Sequence, residues 1–427
     1  MRKKFVFLIA VFCGVFVAFT CSALENSLSL KRGEVIACYG DSITQGGSYP
    51  SYLQLFLAPA GVRVHNTGVS GDSSQPGVAR IDTVLREVNP DRFLYILGLN
   101  DTLGFGTPEL TAEQRERINT FRISAEASIQ KILAAGKRVV LSTPHAYNQY
   151  GTAYPKPPIL TKDSNGVLAL AEIDRQIAAK YELPLIDVGG VMRRIYQEHS
   201  KDCSVAPDRL HPSRSIHIVM AAYIAMEMGI SGTVGRCVIP AGQMEAVYTP
   251  ERLPLARLPE YDEARKYYPL DELFNVETLQ AVQLPAGTYA VFADDIKLGE
   301  FSAETLNAGI SLIGLPTPHQ LEADALETVR AELEREQCRF AVNLRFRHIM
   351  ELQKLDYNIP AVRREWMERW VASAKFNAGN VKRAADYFMK NVDGKEAEIR
   401  ENVGRLQLEI LRRSVPRSCK IRIKAVK

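Results

Sequence analysis

Residues 35–47, VIACYGDSITQGG, decide how this chain reads. Val35 to Tyr39 is a short apolar run that ends directly in Gly40-Asp41-Ser42. A run of that length bounded by a turn signal reads as a buried strand. A strand-to-helix turn exposes its side chains and leaves backbone N–H groups free to hold an anion. A serine placed there becomes a nucleophile only if a base stands beside it. Otherwise it merely caps the helix that follows. Taken alone, the three residues do not choose between these roles.

Outward from this stretch the first half alternates strand and helix. Tyr49 to Leu57 has helical spacing, Val62 to Thr67 reads as a second strand, and Val78 to Val88 is again helical. Arg92 to Leu99 is a third strand, apolar on both faces. Ile118 to Ala135 is an amphipathic helix, Val139 to Thr143 a fourth strand, Leu168 to Tyr181 a helix and Leu185 to Val188 a fifth strand. Ile216 to Met228 is the last helix of the series. Buried strands alternating with helices imply an α/β fold, a parallel five-stranded sheet with helices on both faces. In such sheets the ligand lies beyond the carboxyl ends of the strands.

Three further polar segments fall in that region. Gly68-Val69-Ser70-Gly71-Asp72 follows the second strand, and the Gly71 N–H could help hold an oxyanion. Gly98-Leu99-Asn100-Asp101 ends the third, where the Asn100 amide could point into the same pocket. Asp208-Arg209-Leu210-His211-Pro212-Ser213 precedes the last helix. An aspartate three residues ahead of a histidine can accept from one ring nitrogen and leave the other facing a nucleophile. Each segment also has a plain reading, as a turn or a helix cap. Their order along the chain argues for one site, because all four should meet at one edge of one sheet.

Together the four segments resemble the four blocks of the SGNH hydrolases, also called GDSL-type esterases. The resemblance spans roughly residues 33–230 and implies a three-layer α/β/α sandwich of the SGNH, flavodoxin-like kind. It implies that Ser42 attacks the acyl carbonyl, that His211 is general base and then general acid, and that Asp208 orients His211. The N–H groups of Ser42 and Gly71 and the side chain of Asn100 would form the oxyanion hole. Asp41 would support the turn, and His217 would be structural. The mechanism needs no metal and no organic cofactor, and activity should fall as His211 protonates. Arg214-Ser215-Ile216 departs from the family, which more often has small residues and a glycine there.

Composition bounds the rest. A chain of 427 residues suggests two domains. Of the formal charge of +4, Arg2, Lys3 and Lys4 supply three, which gives no reason to expect nucleic acid as a partner. The same three residues, the apolar run Phe5 to Phe19 and the small-residue site Cys21-Ser22-Ala23 read as a signal peptide over residues 1–23. The run is shorter than a spanning helix needs. The expectation is therefore an exported protein, periplasmic or secreted, with no stable membrane span after cleavage. Phe19 and Thr20 argue against a lipid anchor on Cys21. Of the five cysteines that remain, Cys38 should be a free core residue, and Cys203 could bridge to Cys237.

The hydrolase domain is placed at residues 28–240 and a C-terminal extension at 241–427. In the extension, Ala281 to Leu284, Thr288 to Ala293 and Lys297 to Ser302 read as a small meander. Gln320 to Arg413 is mainly helical, and Lys420 to Val426 alternates as an edge strand would. Trp366 and Trp370 sit one turn apart, a spacing that favours helix packing over sugar stacking. The substrate expected is a small-molecule or oligosaccharide ester, with O-deacetylation of a carbohydrate favoured by the Tyr-, Asn- and Gln-rich stretch from Tyr147 to Pro158. The alternatives are a lysophospholipase or thioesterase, or a binding protein without turnover on the same fold.

Overall fold

The computed structural model describes residues 28–102, 106–107, 109–151, 159, 161–374 and 378–426. The expected signal segment, Gly104, Phe105 and residues 152–158 lie outside the described residues.

Five strands form a parallel sheet in the order β2-β1-β3-β4-β5: β1 Val35–Gly40, β2 Arg63–Asn66, β3 Arg92–Ile96, β4 Arg138–Ser142 and β5 Leu185–Ile186. Alternate residues of each strand feed two separate cores. Ile36, Cys38, Leu94, Ile96 and Val140 pack beneath helices α1 (Ser48–Leu57), α5 (Val188–Glu198) and α6 (Arg214–Glu227). Ala37, Tyr39, Phe93, Tyr95, Val139 and Leu141 pack beneath α2 (Ser74–Glu87), α3 (Ala112–Ala134) and α4 (Leu168–Tyr181). Both faces are dry, which is why the strands read as continuous apolar runs rather than alternating ones. The fold is the expected α/β/α sandwich. The stretch Val188–Glu198, whose first residue was read as strand, is a helix capped by Asp187, whose carboxylate accepts from the Gly190 N–H.

β6 (Thr233–Ile239), which lies just before the boundary expected at residue 240, pairs in parallel with β8 (Val276–Ala281) of the extension, followed in the same sheet by β11 (Ile310–Ser311), so the extension's sheet takes in the last residues assigned to the hydrolase domain. A second sheet runs β10-β9-β12-β7, built from Ile296–Ser302, Thr288–Ala293, Cys419–Ala425 and Glu245–Tyr248. Of the three strands expected as one meander, the second and third form here as β9 and β10, whereas the first does not: only Ala281 is strand, as the last residue of β8 in the other sheet, and Val282 and Gln283 turn. The C-terminal strand is an inner strand, hydrogen-bonded on both sides. Its apolar residues Ile421 and Ile423 enter a core shared by both sheets, while its cationic residues face outward.

No disulfide joins Cys203 to Cys237: all five described cysteines are free. Cys203 is exposed on the hydrolase layer, whereas Cys237 is buried inside the extension's β core.

After α7 (Pro259–Tyr267), helices α8 (Pro318–Leu352), α9 (Pro360–Ser373), α10 (Ala378–Asn391) and α11 (Glu396–Arg413) build a third core. Trp366 and Trp370 stack with ring centroids 5.6 Å apart, and both lie edge-on to Phe346. They are packing residues, as their spacing indicated. These helices also cover the exposed edge of the parallel sheet. The Val64 carbonyl of edge strand β2 accepts from the buried side chains of Gln337 on α8 and Gln407 on α11, and the Val64 N–H donates to Gln54 on α1. A free strand edge is a template for mispairing, and here three buried glutamines close it. Among the described residues no helix is long and apolar enough to cross a membrane.

Candidate active site

The site stands where β1, β2 and β3 end. Gly40 closes β1 because nothing larger fits: a Cβ there would lie 2.1 Å from Thr44 Oγ1 and 2.8 Å from the Ile96 carbonyl oxygen. Asp41 then caps a short helical turn, Ser42–Gln45, its Oδ1 accepting from the Ile43 N–H at 2.9 Å. This turn directs Ser42 Oγ outward. It meets His211 Nε2 at 2.9 Å. His211 Nδ1 in turn lies 2.6 Å from Asp208 Oδ2. The other Asp208 oxygen accepts from the backbone N–H groups of His211 at 2.7 Å and Leu210 at 2.9 Å. These bonds hold the Asp208 carboxyl below its ordinary value despite partial burial. With Nδ1–H donating to a carboxylate, Nε2 is left as the acceptor for the Ser42 proton. Such a chain can activate a hydroxyl for attack on a carbonyl.

The side expected to hold the oxyanion is built from two neighbouring loops. Neither the Ser42 nor the Gly71 backbone N–H has an acceptor among the described residues. Gly71 adopts φ +82°, a left-handed conformation that favours glycine. Gln45 ties the two loops together, its Oε1 accepting from the Ser70 N–H at 2.8 Å. Asn100 Nδ2 donates to the Asp72 carbonyl at 2.8 Å, which fixes the amide and leaves its second N–H free to turn toward a ligand. Asp101 accepts from both the Ser74 hydroxyl and N–H, and burial pushes its carboxyl up to about 6. The structure thus brings Ser42, Gly71, Asn100, Asp208 and His211 to one rim. His217 is apart from them, stacked on Tyr49 at 6.1 Å and held neutral by burial at about 4.

Three supports are invisible to motif reading. Arg80, fully buried, pairs with Asp72 at 2.7 Å and donates to the carbonyls of Thr67 and Gly40, so one guanidinium pins the ends of β1 and β2. Only the buried side of α2 could have signalled it, and a lone arginine on an apolar helix face carries no unique meaning. Arg214, the departure noted beside His211, pairs with Glu334 of the extension at 2.8 Å. Glu334 also accepts from Ser48 and pairs with Arg330, which pairs with Glu327. The loop bearing His211 is thereby tied to α1 and α8. Finally, Arg209 takes φ +70° and exchanges hydrogen bonds with Asn148, joining that loop to the one after β4.

Beneath the nucleophile turn, His145 Nδ1 is 3.9 Å from Asp41 Oδ1, yet the two are not an ion pair. Burial drives the ring down to about 3 and the carboxyl up to about 7. Folded Asp41 therefore keeps its proton well above its ordinary value of 3.8, and between these two pH values the folded state binds more protons than the unfolded chain. Stability from this group falls as pH rises through that window. Asn keeps the oxygen that Ile43 N–H needs but cannot ionise. Relative to Asp41→Asn, wild type should lose on the order of 3–4 kcal/mol of unfolding free energy between acid and alkaline ends of the window. Urea unfolding of both proteins at pH 4.5 and pH 8 measures this, and parallel pH dependence would refute it.

A three-layer α/β/α domain with a Ser-His-Asp chain at the carboxyl edge of its sheet defines a serine ester hydrolase. Residues 38–217 match the model of the GDSL-like lipase/acylhydrolase family, and that part of the chain is a GDSL-type, SGNH hydrolase domain. An acetylxylan esterase of Geobacillus stearothermophilus is 22% identical over 222 residues, covering 47% of this chain and 97% of that protein. Thioesterase 1/protease 1/lysophospholipase L1 of Escherichia coli is 26% identical over 165 residues, 39% of this chain and 66% of that protein. The solved structure of a gut microbial diltiazem-metabolizing enzyme is similar with a TM-score of 0.78 at 20% identity, covering 93% of this chain and 98% of that one. The arrangement of hydrolase layer and extension together therefore recurs in a second protein.

Proposed function

We propose that this protein is an exported carbohydrate O-deacetylase in which Ser42, His211 and Asp208 form the catalytic triad. The Ser42–His211–Asp208 hydrogen-bond chain supports the triad. Ser42 attacks the acetyl carbonyl as His211 takes its proton. The N–H groups of Ser42 and Gly71 and the Asn100 amide hold the oxyanion. His211 then protonates the leaving alcohol, and water attacks the acyl-enzyme by the reverse path.

The openness of the site carries the substrate reading. The side chains of His211 and Asp208 are 49% and 55% exposed, so the reacting ester is met at an open rim. An open rim admits a bulky sugar alcohol, whereas a long acyl chain needs an enclosed apolar slot. The acetylxylan esterase, matched over nearly its whole length, supports the same reading. The loop after β4 does not carry it. Tyr147 and Asn148 are buried, where Tyr147 accepts from the Ile159 N–H and Asn148 accepts from the N–H groups of Tyr150 and Gly151. Export rests on the basic and apolar start of the sequence.

Acetylated xylo-oligosaccharides and 4-nitrophenyl esters of rising chain length test this. The kcat/KM for acetyl esters should exceed that for palmitoyl esters by about tenfold or more. A preference for long chains would favour the lysophospholipase reading that the Escherichia coli relative represents.

A further inference from the structure

Among the described residues the buried arginines have their charge answered, and one half-buried arginine does not. Arg80 pairs with Asp72, Arg92 with Glu34, Arg330 with Glu327 and Arg363 with Asp393, each within 2.7 Å. Arg252 donates to backbone carbonyls, including those of Ser231, Leu253 and Phe274. Arg345 on α8 differs. Among the described residues no carboxylate lies within ion-pair distance of it, and its buried Nε has no acceptor. It is 5.6 Å from the Phe346 ring and feels only the distant charge of Asp72, which Arg80 already neutralises. Burial pushes its guanidinium below the ordinary arginine value. A half-buried guanidinium with no carboxylate beside it leaves its charge to solvent and to whatever anion enters the cavity it lines.

Arg345 lines a cavity of about 290 Å³ together with Gln45 and Gly46 of the nucleophile turn. Cys338, Val342 and Phe346 of α8 and Ala384 and Tyr387 of α10 complete its lining. Gln45 ends the turn that begins at Ser42 and holds Ser70, next to Gly71. The Asp72 that feels Arg345 presents its carbonyl to Asn100. The cavity therefore adjoins both loops of the side expected to hold the oxyanion, and the helical extension supplies the rest of its lining. Its lining combines one forked cation with the apolar side chains of Val342, Phe346 and Ala384 and the polar ones of Gln45 and Tyr387. A single guanidinium matches the charge and planar geometry of one carboxylate, while a phosphate dianion would leave a charge unmet.

We propose that this cavity is a substrate subsite in which Arg345 binds a carboxylate of the ester, so that the enzyme acts on acidic esters. The inference rests on the Ser42-centred reading above. The carboxylate can belong to the acyl group or to the alcohol, and two substrate pairs separate these. The first compares the 4-nitrophenyl monoester of succinate with 4-nitrophenyl butyrate. The second compares acetylated glucuronic acid with acetylated glucose.

In one pair wild type should prefer the acidic member by about tenfold in kcat/KM, the size expected for a charge-assisted hydrogen bond to a half-buried guanidinium. Arg345→Met should bring that ratio close to one, and Arg345→Lys should retain part of it. The inference is overturned if wild type shows no acidic preference in either pair, or if the preference survives in Arg345→Met. Ser42-dependent hydrolysis of neutral 4-nitrophenyl acetate reports separately on the triad. A thermal melt of each variant distinguishes lost binding from lost fold, and a ratio that changes only in a misfolded Arg345→Met but not in a folded Arg345→Lys counts against the subsite.

Discussion

Replacing Ser42 with alanine is expected to lower kcat for 4-nitrophenyl acetate by roughly a thousandfold or more while leaving the melting temperature unchanged. The two halves of this expectation have separate causes. Among the described residues the Ser42 hydroxyl has one partner, His211 Nε2 at 2.9 Å. The turn that carries it is held by other groups: the missing Cβ of Gly40, the cap from Asp41, and the bond from Ser70 to Gln45. Deleting the hydroxyl removes the attacking atom and leaves those contacts in place. The donors around the oxyanion remain as well, so some turnover above the uncatalysed reaction should persist through water attack. Stopped-assay kinetics on purified wild type and variant, with unfolding followed by circular dichroism, give both numbers. Equal turnover in the two proteins would remove Ser42 as nucleophile.

The fold of the first half was legible because its physics is local. A strand buried on both faces must be apolar throughout, and Ala37 to Tyr39 or Phe93 to Ile96 cannot be read otherwise. The place of the candidate site was legible for a related reason. Chemistry at the end of a parallel strand needs a tight turn, and Gly40 and Gly71 record where the backbone has no room or no ordinary conformation. What stayed hidden depends on partners far apart in sequence. Arg80 looks like any helix arginine until Thr67 and Gly40 are brought to it. Arg214 looks like a departure from the family until Glu334, more than a hundred residues on, takes its charge. The C-terminal strand has the alternation of an edge, yet two other strands sandwich it, because alternation reports one buried face and says nothing of the number of neighbours. The Cys203 and Cys237 pairing failed similarly, since spacing in sequence does not tell which layer each residue joins.

Asp208→Asn is expected to cost on the order of a thousandfold to ten-thousandfold in kcat, with KM little changed, although the substitution is nearly isosteric. The reason lies in how both carboxylate oxygens are used. Oδ2 accepts from His211 Nδ1, and Oδ1 accepts from the His211 and Leu210 N–H groups. An asparagine must choose. If its oxygen takes the two backbone donors, its NH₂ faces Nδ1, and the ring must put its proton on Nε2, toward Ser42. The base is then blocked by the wrong tautomer. If the amide flips to serve Nδ1, its NH₂ is driven against two N–H groups, and the loop that carries His211 loses its bracing. Because the Asp208 side chain is about half exposed at 55%, water weakens its field. The loss should therefore come chiefly from the tautomer. That makes a discriminating test available. Asp208→Glu can still accept from Nδ1, and should recover more activity than Asp208→Asn even though it fits less well. The pH–rate profiles of the two variants, recorded beside wild type, decide it. Activity within about tenfold of wild type in Asp208→Asn would show that His211 is oriented by something other than Asp208.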